Sequence, residues 1–270
     1  MSHIQHFAYA WFVPAIAFAV SGTGALLGLL LTGRARLADG GARAGWLIGA
    51  ALSIGGTGIW AMHFVAMAGF SVAGTRIRYD VPFTVLSALL AVVVVGAGLF
   101  LVSRRGERPD ALLGGGALTG LGVAGMHYLG MAAMNMNAEV AYDPMLVALS
   151  VLVAVVAATV ALWFTLRVRG ALATVAAALI MGVAVNGMHY LGMFAMRVRV
   201  TSATGDLPGA DPIDFLLPVL TVVAVVTLGL LLAVALSPSE RELRSESALQ
   251  DRLSAGRERD RDRDGDRAGR

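Results

Sequence analysis

The 270 residues include no cysteine and no lysine, and only 14% are charged and 7% aromatic. Without cysteine there are no disulfides, no thiolate zinc sites and no thiol redox chemistry. Without lysine, the sequence pI of 9.8 comes from arginine alone. It is not read as a nucleic-acid footprint, and no nucleic acid is expected as a partner. What remains is apolar. Hydrophobic residues make up 57% of the chain and the mean hydropathy is +0.73, beyond soluble usage. The 33 glycines suit transmembrane helices, which approach closely through small residues because lipid gives no hydrophobic drive between them.

Seven stretches free of Asp, Glu and Arg are long enough to cross a bilayer. They run over 9–31, 45–70, 82–103, 113–137, 144–166, 171–196 and 214–236, with Asp214 at the edge of the last. Pro82, Pro144 and Pro212 stand at or just before helix starts, where a missing N–H costs little. No acid lies inside a span to serve as a relay, which disfavours a proton-coupled transporter.

Eight arginines (34, 36, 43, 104, 105, 108, 167 and 169) follow spans one, three and five, against Arg76, Arg78, Arg197 and Arg199 after spans two and six. The positive-inside rule therefore predicts an external N-terminus and a cytoplasmic C-terminus in the plasma membrane. Residues 1–236 form the membrane domain. In 237–270, nine arginines face nine acids, ending in alternation over Arg257–Asp264, so this segment reads as a disordered, solvated cytoplasmic tail.

The most informative feature is a repeat. Met62-His63-Phe64 in span two, Met126-His127-Tyr128 in span four and Met188-His189-Tyr190 in span six stand 64 and 62 residues apart, the length of one helix pair. The fold expected is all-α: a polytopic membrane bundle of three two-helix repeats plus a seventh helix. Motif helices spaced by a pair run in the same direction, so all three histidines reach one side of the membrane. His63 and His189 fall seven residues before the ends of their spans, roughly 10 Å deep at about 1.5 Å per residue, and His127 about one turn deeper.

Within each copy a methionine follows at i+4. Met67, Met131 and Met193 therefore share a helix face with His63, His127 and His189, whereas Met62, Met126 and Met188 lie about 100° around. Imidazole with thioether suits copper, especially Cu(I), over zinc, magnesium or calcium; haem iron can also take His and Met axially. A packing role competes with ligation. One intramembrane histidine is often a hydrogen-bonding residue and methionine an ordinary filler, but three copies at matched depth favour function, since packing alone could use Leu or Phe. His3 and His6 near the N-terminus, with Pro14, Ser21 and Thr23, are left outside the principal ligand set.

The Met-His-Tyr core and the three-pair layout over about 9–236 resemble the MHYT domain, a bacterial integral-membrane sensory module. The resemblance implies copper, as Cu(I) or Cu(II), held by His63, His127 and His189 with Met62, Met126 and Met188, with Met67, Met131 and Met193 fitting the same pattern. It implies sensing of oxygen, carbon monoxide or nitric oxide near the outer face, and no enzyme activity in the membrane domain. Two features depart from it. Phe64 replaces tyrosine in the first copy, removing a hydroxyl. The short tail also stands where relatives often carry a cyclic-dinucleotide output domain, so output is expected from a separate cytoplasmic output protein or from the membrane domain itself. A copper-handling protein or permease, and an intramembrane haem-binding redox protein, remain the alternatives.

Overall fold

The computed structural model describes residues 4–5, 12–201 and 206–237. The expected tail beyond 237, with its arginine–acid alternation, lies outside the described residues, as do His3 and His6.

Among the described residues, seven helical rods form: α1 (Phe12–Leu37), α2 (Gly40–Met67), α3 (Val81–Arg105), α4 (Pro109–Ala132), α5 (Pro144–Arg167), α6 (Ala171–Phe194) and α7 (Pro212–Leu236). Six are long and apolar enough to cross a membrane. The other, α4, is a full 24 residues but carries seven glycines, which dilute its hydropathy without shortening it. On the outward faces, Leu89, Val93, Leu152, Val156, Val222 and Leu228 are each more than half exposed. Water would not tolerate so continuous an apolar belt, whereas lipid does.

Helix starts follow the sequence signals. Asp80 accepts from the Phe83 amide at 2.9 Å and Asp143 from Met145 and Leu146 at 3.1 and 3.4 Å, each just ahead of a proline that opens its helix without wasting an amide. At the opposite face, side chains close two helix C-termini. Arg36 donates to the Thr165 and Val168 carbonyls, at 2.7 and 3.0 Å, and Arg43 to Ser103 Oγ at 2.7 Å.

Glycines set the helix spacing. A Cβ on Gly24 of α1 would overlap the backbone of Gly58 in α2, and one on Gly120 of α4 would overlap the backbone of Val155 in α5. This is the close approach that small residues permit in lipid. Ser53 then bridges α2 to the Gly24 carbonyl at 2.8 Å. Unexpectedly, α2 winds as a π-helix over Leu52–Ala61, directly before its motif, a geometry that is rare and concentrates at functional sites.

The loops at the motif end contain strands that the all-α expectation did not include. Among the described residues, three antiparallel pairs form: β1 (Ile4–Gln5) with β2 (Ser71–Val72), β3 (Arg78–Tyr79) with β4 (Met134–Asn135), and β5 (Ala138–Tyr142) with β6 (Met196–Val200). Each repeat is thus strand, helix, helix, strand, and the flanking strands tie its two ends together. These ladders cut the helices short. The fourth span ends at Ala132 instead of 137 because the chain turns into β4, so His127 is not a turn deeper than the others. It lies five residues from its helix end, as does His189, and His63 lies four.

The final helix, α7, is mostly exposed. Within it Thr227 meets Thr57 of α2 at 2.6 Å.

Candidate metal centre

Three parallel helices at matched depth turn one face of each motif toward a common axis. His63, His127 and His189 meet there, fully buried, with ring centroids 4.9 to 5.1 Å apart and planes 85 to 88° to one another. The Nδ1 atoms converge. His63 and His189 are 3.0 Å apart at Nδ1, His63 and His127 3.2 Å, and His127 and His189 3.3 Å. Together they are the cluster of nitrogen donors able to hold a metal among the described residues.

This triangle cannot satisfy itself by hydrogen bonds. A neutral imidazole nitrogen either donates or accepts, so at least two of the three Nδ1 atoms have the same role and face each other unfavourably. The three Nε2 atoms are also buried and make no hydrogen bond among the described residues. If the protons sit on Nε2, three lone pairs point at one another, an arrangement that a cation at the centre would reverse into attraction. The size fits: a point equidistant from Nδ1 atoms roughly 3.2 Å apart lies about 1.8 Å from each, and a small out-of-plane shift reaches the 2.0–2.1 Å typical of metal–imidazole bonds.

Glycine makes room for the rings. A Cβ on Gly130 would overlap Nε2 of His63, and one on Gly192 would overlap Nε2 of His127. Both glycines stand three residues after a motif histidine, and the first copy has Ala66 there. The aromatic residue after each histidine forms a wall. Phe64, Tyr128 and Tyr190 lie edge-on to their own histidine rings, at 4.9, 4.9 and 5.0 Å. In the first copy Phe64 packs tilted against Trp60 and edge-on to Tyr79 instead of offering a hydroxyl, whereas the Tyr128 hydroxyl meets Ser150 Oγ at 2.6 Å. Trp60 is held by its indole N–H on Ser87 Oγ at 2.9 Å.

The six methionines of the motifs, Met62, Met67, Met126, Met131, Met188 and Met193, are all buried. Met62 packs with Ala17 and Ala66, Met67 lines a cleft with Phe70 and Tyr79, and Met188 lines a cavity between the helices with Met181. Met126, Met131 and Met193 are buried on the same motif helices. Sequence reasoning singled out the histidines and methionines. It missed Gly130, Gly192 and Trp60, although glycine recurring at the same offset in two copies was a visible signal.

The repeat described as MHYT, a bacterial signalling protein N-terminal repeat, matches residues 56–115, 120–178 and 182–245. Each match starts within or just before a motif helix and continues through the helix that follows. The bifunctional diguanylate cyclase/cyclic di-GMP phosphodiesterase MucR of Pseudomonas aeruginosa is 37% identical over 233 residues, 84% of this chain and 34% of that protein. The cyclic di-GMP phosphodiesterase NbdA of the same organism is 40% identical over 155 residues, 55% of this chain and 20% of that protein. The signaling protein YkoW of Bacillus subtilis is 35% identical over 159 residues, 56% of this chain and 19% of that protein. The chain thus spans about a third or less of the length of these relatives. No solved structure matches. With three matched repeats, each carrying one of the converging histidines near its start, the chain belongs to the MHYT family of bacterial signalling proteins.

Proposed function

We propose that this multi-pass membrane domain is a sensor in which His63, His127 and His189 bind one copper ion, and that oxygen, carbon monoxide or nitric oxide is read through that metal. The observation that carries the reading is the Nδ1 triangle, with sides of 3.0 to 3.3 Å and no hydrogen-bond solution of its own. A cuprous ion suits it best. The Born cost of burying an ion rises with the square of its charge, so a monovalent metal is far cheaper here than zinc, and zinc also favours a fourth ligand. The buried methionines supply a soft, polarisable surround, with Met62, Met67, Met126, Met131, Met188 and Met193 as further ligands or as packing. Haem is less well supported, because Nδ1 atoms in mutual contact leave no slot for a macrocycle between them.

Signalling needs two states that the ligand binds differently. The π-helical stretch of α2 links His63 to Thr57 and its contact with Thr227, so a change at the metal has a short route to α7. The arginine-bearing face is assigned to the cytoplasm and the motif end to the outside. Output then passes to a cytoplasmic partner, in keeping with the cyclic di-GMP names of two relatives. A copper-handling protein or permease would use the same cluster but would move copper across vesicles. X-ray absorption of copper-loaded protein tests the site: three nitrogen donors near 2.0 Å support it, and a sulfur-only shell refutes it. An infrared band from copper-bound carbon monoxide tests the gas.

A further inference from the structure

On the side of the histidine cluster toward the arginine-bearing face, the helices line a cavity of about 70 Å³. Its relation to the cluster follows the repeat. Ile59, Val123 and Val185, each four residues before a motif histidine, all line it, and so does Met188, the neighbour of His189. In the α-helices α4 and α6, residues four apart share a helix face, so at Val123 and Val185 the cavity lies about one turn, roughly 5 Å, from the imidazoles of His127 and His189. Much of the remaining wall is alanine, including Ala154, Ala158 and Ala161 of α5.

The cavity offers water a few hydroxyl oxygens as acceptors but no free side-chain donor. Its three hydroxyls have each committed their one proton to a backbone carbonyl: Ser21 to Phe18 at 2.9 Å, Thr119 to Val94 at 3.2 Å and Thr165 to Leu162 at 2.6 Å. Ser21 also accepts from Asn186 at 2.8 Å. The other lining side chains are aliphatic, glycine or methionine, so a water inside would find no side-chain donor. Water in a protein cavity needs two to four polar partners, and apolar cavities stay dry and take up xenon or small hydrocarbons. At about 70 Å³ the space exceeds the roughly 10–15 Å³ that a cavity needs to hold one water, so it has room for a molecule of diatomic size. Small apolar molecules also concentrate in the hydrocarbon around the bundle.

We propose that this cavity is a docking site for a small apolar molecule of diatomic size, which reaches the histidine cluster from inside the bundle rather than through the strand-bearing end. The inference deepens the proposed function. It rests on that reading for the metal that would meet the gas, but not for the occupancy of the cavity.

Xenon is the probe. Crystals of the metal-free full chain pressurised with xenon should show an anomalous peak among Ile59, Val123, Val185 and Met188. The peak should be lost in Ala158→Leu and in Ala161→Leu, each of which fills the space from α5. Two variants guard against one failing to fold, and the wild-type crystal is decisive alone. No xenon peak in wild type, ordered water or an acyl chain in its place, or xenon unchanged in both filled variants would overturn the proposal. The two claims separate cleanly: xenon bound by a protein that takes no copper sustains the cavity and refutes the metal, and the reverse result refutes the cavity alone.

Discussion

Gly192 of α6 lies so close to His127 of α4 that a Cβ would overlap the imidazole Nε2. Gly130 of α4 stands in the same relation to His63 of α2. The histidines are therefore positioned by the absence of side chains on neighbouring motif helices, not by hydrogen bonds to Nε2.

The first prediction follows. Gly192→Ala and Gly130→Ala should push a ring out of the triangle and weaken copper binding by about 10–100-fold, the scale of losing a ligand-orienting contact. Gly187→Ala, on the same helix as Gly192 but with open space beside it, should bind copper like wild type. Competition with a chelator of known affinity measures both. Equal affinity in all three variants would contradict the steric account.

The motif aromatics should not be interchangeable. Tyr128→Phe deletes a hydrogen bond to Ser150 Oγ, which keeps the Val147 carbonyl as a partner, and should cost about 1 kcal/mol. Phe64→Tyr brings a hydroxyl into a fully buried site between Trp60 and Tyr79 and should cost more, about 1–3 kcal/mol. Thermal unfolding in detergent ranks them, and the reverse order would show that Phe64 is not packed as described.

Asp143 gives a pH prediction. The Leu146 amide, followed by the Met145 amide and the Arg197 guanidinium at 2.7 Å, hold its carboxyl below the usual range. A depressed folded value stabilises above the unfolded pKa of about 3.9, and that contribution is lost as pH falls through the lower folded value. The difference in unfolding midpoint between wild type and Asp143→Ala should hold steady from pH 5 to 7 and narrow below about pH 4. A difference that widens on acidification would contradict the assignment.

Because the chain has no cysteine, single-cysteine variants need no background removal. In intact cells Arg76→Cys, in the loop between β2 and β3, should react with a membrane-impermeant maleimide, and Arg108→Cys, between α3 and α4, should not. The opposite pattern would invert the bundle.

Helix number, direction and the equivalence of the motifs were legible in the sequence, because apolar length and a 62- to 64-residue period fix them without tertiary information. His63, His127 and His189 were legible as candidates for the same reason. Their convergence on one point was not. It depends on how three helix pairs close into a ring, which in turn depends on contacts such as Gly24 with Gly58 and Gly120 with Val155. The short ladders were hidden too. β3 and β4 are two residues each and pair across more than 50 residues of intervening chain, so no local alternation announces them, and they are why the depth of His127 was misjudged. The i,i+4 rule placed Met67 on the His63 face, yet Met67 also reaches a cleft beside Tyr79.

The most direct test of the account is the copper content of the full chain, purified in detergent under reducing conditions and exposed to Cu(I), in wild type and in the His63→Ala/His127→Ala/His189→Ala variant. The account predicts about one copper per chain in wild type and none in the variant. A folded wild type that takes up no copper, or a variant that binds as much as wild type, would contradict it.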